Sequence, residues 1–295
     1  MESTATNLSA LSRLFSSSVY RELAEKGRSP LFARLLSQTD LLPALPAFRT
    51  VGAAFDAAFA ILRKTGQRDE YVYRAALTHN ILLGRHSLNT ASMLTEFRVG
   101  ACKADLVILN GTSTAYEIKS ERDSLARLEN QLANYSKVFA KTYVVVAEPF
   151  VSQVLTCTPP NTGIMALARW NRIKTVREAH EHPDNFCTVT IFDSLRLSEA
   201  REVLQNLGVE IPAVPNTKLH AEMRELFRAL DPIAVHRQMV EILKRTRTSA
   251  PLASLVEQLP HSLRPAALSI RVKRGDQDRL IAALATPIDQ ALHWT

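Results

Sequence analysis

The stretch that most constrains this chain runs from Met93 to Tyr135, where Glu96, Asp105, Glu117 and Lys119 sit inside short strand-like runs. In an extended segment successive side chains point to opposite faces. YEIKS therefore places Glu117 and Lys119 on one face and Tyr116 and Ile118 on the other, an unfavourable way to build a core. ADLVILN groups Asp105, Val107 and Leu109 against Leu106 and Ile108, and the turn residues Asn110-Gly111 fold this run back onto YEIKS as a hairpin. Asp105 is thereby brought near Glu117. MLTEFRVG alternates in the same way, Phe97 and Val99 against Glu96 and Arg98, which makes Glu96 a third candidate acid.

Carboxylates gathered at one point repel one another and are costly to bury unpaired, so they call for a cation. Hard oxygen donors suit Mg²⁺ or Mn²⁺. A metal held with open positions activates water and stabilises charge building on a phosphodiester, and a neighbouring ammonium orients the nucleophile or neutralises the phosphate. The residues point to hydrolysis of a nucleic-acid backbone. The competing structural reading makes Glu117 and Lys119 a solvated pair on an edge strand, with Asp105 capping a turn.

Asp105, followed twelve positions later by Glu117-Ile118-Lys119, resembles the D…(D/E)xK signature of the PD-(D/E)XK nuclease superfamily. Gln131 and Tyr135, four apart in the segment that follows, resemble the QxxxY element of its RecB-like branch. The longer string of EIKS, Asp123, Leu125, Arg127-Leu128, Gln131 and Tyr135 is similar to a group of uncharacterised bacterial and phage proteins assigned to the same superfamily. The resemblance covers residues 68–170, and Ala104 stands where the signature carries proline. It implies an α/β fold, a restriction-endonuclease-like αβββαβ core with a mixed sheet, acting as a metal-dependent nuclease on DNA with Mg²⁺ (or Mn²⁺) as cofactor. Asp105 and Glu117 would be metal ligands together with the backbone carbonyl of Ile118, and Lys119 the catalytic lysine. Gln131 and Tyr135 would lie beside the site and position the lysine or the substrate; the bland alternative is an amphipathic helix packing a tyrosine on the sheet. Family members often draw a further acid from the helix before the sheet, which makes Asp69 and Glu70 rivals to Glu96. As residues, both read as first-turn charges opposing the helix dipole.

At 295 residues and 46 % hydrophobic content the chain can bury a sizeable core. The formal charge of +7 and pI near 9.5 fit a polyanion partner, with the cations spread along the chain. Cys102, Cys157 and Cys187 show neither a disulfide pattern nor zinc-ligand spacing and read as reduced thiols. No run of eighteen apolar residues and no charged-then-apolar leader occurs, and Glu2 argues against a transit peptide, so a cytoplasmic protein with no membrane association is expected.

Three regions are expected: a helical region over 1–66, the nuclease-like core over 67–215, and a helical domain over 216–295. The first holds helices in SALSRLF, VYRELAEKG and LFARLLSQ, the last starting at Ser29-Pro30, then the breaking prolines of LLPALPAF and a helix over Thr50–Thr65. A helix over Arg68–Leu83 leads into the strands, with His79 and His86 as surface or structural histidines. The helix after EIKS is expected to be capped by Ser120 or Asp123 and to reach Lys141, with Arg122, Arg127 and Lys137 as candidate phosphate contacts. TYVVVAE, GIMALAR and TVTIF read as strands, and SLRLSEAREVLQNLG as a helix stopped by Gly208. Asp231-Pro232 opens a further helix, whose end carries Lys244, Arg245 and Arg247; Arg271, Lys273 and Arg274 form a second basic cluster. The C-terminal helices read as a DNA-binding module or as the surface for a homodimer or protein partner, or as an unspecialised helical domain with solvated charges. The functional alternative to the nuclease is a non-catalytic nucleic-acid- or protein-binding module that retains the fold. A serine hydrolase is disfavoured by the lack of a GxSxG elbow.

Overall fold

The computed structural model describes residues 5–42, 49–64, 66, 68–121 and 123–295. Glu2, Pro43 and Pro46 of LLPALPAF, Thr65 and Arg122 lie outside the described residues. The chain divides into two compact units, one of residues 1–80, 169–172 and 251–295, the other of residues 81–168 and 173–250. These units cut across the expected boundaries at 66 and 215. The helices Asn216–Arg228 and Pro232–Thr246 belong with the sheet, because Leu219, Met223, Phe227, Val235, Met239 and Leu243 share one apolar cluster with Leu94, Phe97, Val107 and Leu109 of the strands. Residues 251–295 join the N-terminal helices instead, so the C-terminal helical domain expected over 216–295 is shared between the units.

The helical unit follows its sequence signals. Helices Ala5–Leu14, Ser17–Lys26, Pro30–Ser37 and Val51–Leu62 occur, and the side chains of Ser16, Ser29 and Thr50 accept from the first-turn N–H groups of the last three. Asp69 caps the helix Glu70–Leu77 through the N–H of Val72 at 3.1 Å. The expected single helix to Leu83 is instead followed by a π-helical turn, Thr78–Leu82, and a short α segment, Leu83–Arg85.

The other unit is built on a six-stranded mixed sheet in sequential order. Its strands are β1 (Ser92–Val99), β2 (Cys102–Leu109), β3 (Ser113–Lys119), β4 (Lys141–Ala147), β5 (Gly163–Leu167) and β6 (Ile173–Arg177). β1, β2 and β3 pair antiparallel, β4 and β5 add in parallel, and β6 returns antiparallel. Gly111, at φ 107°, makes the β2–β3 turn that Asn110-Gly111 announces. The β3-to-β4 connection carries the helix Leu128–Tyr135, as a parallel crossover requires.

Two further local expectations fail for identifiable reasons. TVTIF forms the helix Thr188–Ser194 rather than a strand, because Ile191 and Phe192 both bury on the helical side of the core, Phe192 4.9 Å from the ring of Phe227. Packing there overrides β-propensity. The helix after EIKS starts at Leu128 and ends at Tyr135, because the Asp123 carboxylate turns back to accept from the Ser120 N–H at 2.8 Å and hydroxyl at 2.6 Å. Neither Ser120 nor Asp123 caps the helix; together they close a loop at the end of β3.

His236 ties the helix Pro232–Thr246 to the sheet. Its Nε2 lies 2.8 Å from the Ser113 hydroxyl, which in turn accepts from the Ala140 N–H at 3.0 Å, and its ring stacks on Phe186. Burial lowers its pKa from 6.5 to about 4, against an opposing pull from Glu181. Between those values the unfolded chain binds the extra proton and the folded chain does not, so stability falls as pH falls from about 6.5 towards 4. The loss at full protonation is about 3 kcal/mol. Urea denaturation across pH 4 to 7 is expected to show this slope in the wild type and a flatter one in His236→Gln; equal slopes would assign it to other groups.

Candidate active site at the end of strand β3

β3 lies between β2 and β4 and is buried along its whole length, so its polar side chains have no bulk water to face. Glu117 is 1 % and Lys119 5 % exposed. The reading of these two as a solvated pair on an edge strand therefore does not hold. The Lys119 ammonium donates to Glu117 Oε1 at 2.8 Å and to Gln131 Oε1 at 2.9 Å. The Tyr135 hydroxyl lies 2.7 Å from Glu117 Oε2 and 2.6 Å from the Lys103 carbonyl, and its one proton serves those two acceptors. Burial and the adjacent Glu117 carboxylate push the Tyr135 pKa upward, which keeps the phenol protonated as a donor. Gln131 and Tyr135, one turn apart on the crossover helix, thus reach the lysine and the glutamate respectively.

Asp105 enters from β2. The β2–β3 ladder runs to the Leu106–Tyr116 pair, and beyond it the Asp105 carboxylate accepts directly from the Ile118 N–H at 2.7 Å. An extended residue sends its N–H and C=O to the same strand edge, so the Ile118 carbonyl faces the Asp105 side of β3 rather than β4. Asp105, Glu117, Ile118 and Lys119 are therefore gathered where β2 and β3 part.

Glu96 stands across from Asp105 on β1 and interrupts the pairing. Thr95–Leu106 and Phe97–Ala104 are in register, while Glu96 itself adopts φ 53°, a left-handed conformation that few non-glycine residues take. The consequence is a switch of face: Leu94, Phe97 and Val99 all reach the same core cluster, although strict alternation would separate Leu94 from the other two. Glu96 is exposed, pairs with Lys103 at 3.8 Å, and brings a carboxylate oxygen within 4.8 Å of Asp105. Asp69 and Glu70 belong to the helical unit, where Asp69 caps its helix and binds the Ser12 hydroxyl, and Glu70 pairs with Arg74 one turn on.

The histidines behave as structural groups. His79 stacks on His261 at 3.5 Å between centroids, with its pKa lowered to about 3 by burial and the neighbouring His261, and His86 Nε2 lies 3.1 Å from Asn110 Nδ2. The basic helix end at residues 244–247 is largely neutralised. Arg247 pairs with buried Glu199 at 2.6 Å and lies over the Phe97 ring, and Arg245 pairs with Glu202. Hydrogen bonds from Arg247, the Arg196 N–H and Thr246 hold the Glu199 pKa below the usual carboxylate range despite its burial. Sequence reasoning missed this pair, and the Ser113–His236 contact, since no spacing links residues 48 or 123 positions apart.

The family described as Bacteriophage P4 protein cII matches residues 63–270, which include every candidate site residue on β1 to β3 and on the crossover helix. The chain belongs to that family. Protein cII of Enterobacteria phage P4 is 38 % identical over 145 residues, 47 % of this chain and 53 % of that protein, so the chain spans about half the length of the curated relative it matches. A solved structure, the SPO1766 protein of unknown function from Silicibacter pomeroyi, aligns with a TM-score of 0.31 at 17 % identity, covering 49 % of this chain and 92 % of its own.

Removing one member of a buried ion pair leaves the other uncompensated, at a cost of about 3–5 kcal/mol, whereas removing both charges costs much less. Lys119→Met is expected to be destabilised by that amount and Glu117→Gln/Lys119→Met to recover most of it, read by urea denaturation at pH 7. A double variant as unstable as the sum of its singles would show that the two side chains do not act as a pair.

Proposed function

We propose that this protein is a metal-dependent nuclease that hydrolyses phosphodiester bonds of DNA. The observation that carries the reading is a lysine and a glutamate buried together on the central strand, with Asp105 fixed beside them and Gln131 and Tyr135 holding them in place. A core that needed only stability would gain more from apolar side chains in those positions. The element order also supports the resemblance to PD-(D/E)XK nucleases: a helix, three antiparallel strands, a crossover helix and a parallel strand, with Asp105 on the second strand and Glu117-Ile118-Lys119 at the end of the third.

The donor set suits a hard cation. Asp105, Glu117 and the Ile118 carbonyl offer oxygen only, and each Glu117 oxygen, although it accepts one hydrogen bond, retains a second lone pair. These three groups would hold Mg²⁺ or Mn²⁺, with Glu96 as an added carboxylate on the β1 side. Such an ion supplies an activated water and offsets charge on the phosphate. Lys119 is placed by Glu117 and Gln131 so that its remaining proton can be directed at a phosphate oxygen or the attacking water, and Gln131 keeps the ammonium from folding wholly onto the carboxylate. Tyr135 anchors Glu117 from the opposite side, fixing the carboxylate plane.

One observation favours the second reading, a binding module without catalysis: both Glu117 oxygens are already engaged by Lys119 and Tyr135, a closed network that is stable as it stands. The membership in the phage P4 cII family is compatible with either reading. Among the described residues no helix is long and apolar enough to cross a membrane.

Purified wild type, Asp105→Ala and Lys119→Ala, incubated with linear, circular and single-stranded DNA in Mg²⁺, Mn²⁺ or EDTA, separate the two readings. Metal-dependent cutting reduced at least about 100-fold in both variants is expected, the scale of losing a transition-state charge partner. Unchanged cutting in both variants, or no cutting by the wild type under any metal, contradicts the nuclease.

A further inference from the structure

The excess positive charge is not spread evenly over the molecule. The helical unit carries 17 Lys and Arg against 11 Asp and Glu, and the sheet unit 19 against 18, so six of the seven net charges reside on the unit without the candidate active site. In the sheet unit several cations are paired: Arg247 to Glu199, Arg245 to Glu202, Arg224 to Asp193, Arg228 to Glu225, Lys141 to Glu181, Lys103 to Glu96 and Lys119 to Glu117. The helical unit has exposed cations in several segments, and five of them lie on or beside two helices that meet. The helices Ser17–Lys26 and Arg274–Ala285 pack together, and Arg279 donates to the carbonyls of Ala24 and Glu25 while its side chain lies against Gly27. Lys26 and Arg28 flank that glycine, and Arg271, Lys273 and Arg274 lead into the second helix; all five are exposed. Asp276 is turned onto Arg279, and the other acids of these segments are Glu22, whose carboxylate accepts from the Ser29 hydroxyl at 2.7 Å, Glu25 and Asp278.

We infer that this basic surface of the helical unit, centred on Arg271, Lys273 and Arg274 with Lys26 and Arg28, is where the protein grips the phosphate backbone of a nucleic acid. The inference deepens the nuclease reading by separating the unit that grips from the unit that cuts. Five exposed cations, three of them arginines with planar forks suited to phosphate oxygens, give affinity through counterion release and carry no sequence information. The near-neutral sheet unit can then keep its buried acids free of a competing local excess of cations.

The test measures binding of a fluorescein-labelled 20-base-pair duplex in EDTA, where no metal-dependent cutting occurs, as a function of salt. Arg271→Ala/Lys273→Ala/Arg274→Ala is compared with a control of equal charge loss in the sheet unit, Lys218→Ala/Arg228→Ala/Arg237→Ala, after circular dichroism confirms that both fold. The helical-unit variant is expected to lose at least tenfold in affinity at 0.1 M salt, with the log–log salt slope shallower by about 2 to 3, near 0.9 per lost phosphate contact. The control is expected to bind within twofold of the wild type. Equal losses in both variants, an undiminished helical-unit variant, or displacement by polyglutamate as effective as by unlabelled duplex at equal charge would overturn the inference, the last in favour of an acidic protein partner. The outcome is independent of catalysis: wild type that binds through this surface but never cuts sinks the nuclease alone, and a helical-unit variant that binds normally while wild type cuts sinks this inference alone.

Discussion

An ion pair buried at the heart of a sheet is the interaction on which the rest of this unit depends. Taking the Glu117 carboxylate and the Lys119 ammonium out of water costs several kcal/mol each, and their mutual attraction offsets this only when the leftover lone pairs and protons are also satisfied. The fold supplies those partners from the crossover helix, where Gln131 receives the lysine and Tyr135 meets the glutamate. The position of the helix Leu128–Tyr135 over β2 and β3 is thus coupled to the polar site as well as to the apolar core beneath it, through Tyr135, Val138 and Phe139.

The neighbouring strands are shaped around the same point. β2 stops pairing with β3 at Leu106 and lends the Asp105 side chain to the Ile118 N–H, while β1 turns its alternation over at Glu96. A left-handed non-glycine residue is costly and persists only where its surroundings over-determine it. Here Phe97 and Val99 on one side of the kink are locked into the core, with Arg247 laid over the Phe97 ring and tied in turn to buried Glu199. The helices of residues 197–246 therefore do more than cover the sheet: they hold the strand that carries Glu96.

Much of this was legible in the sequence because it obeys local rules. The alternation of ADLVILN and YEIKS and the Asn110-Gly111 turn are enough to bring Asp105, Glu117 and Lys119 together; the four-residue spacing of Gln131 and Tyr135 puts these two on one helix face, and the resemblance to QxxxY nucleases is what placed that face beside the site. What was not legible depended on tertiary context. TVTIF has a strand's composition and becomes a helix because both Ile191 and Phe192 find a core on one side. Asp123 looks like a helix cap and instead ties down Ser120. The kink at Glu96, the Arg247–Glu199 pair and the division of the C-terminal helices between two units are set by contacts between residues far apart in the chain, which no spacing rule reports.

The proposed nuclease requires Asp105, Glu117 and the Ile118 carbonyl to form one cation site beside Lys119. The most direct measurement is an anomalous difference map from crystals grown in millimolar Mn²⁺. A single strong peak is expected within coordinating distance of Asp105 and Glu117, with Gln131 still on the lysine. No peak there, or Mn²⁺ bound only elsewhere while the Glu117–Lys119–Tyr135 network stays closed, would contradict it.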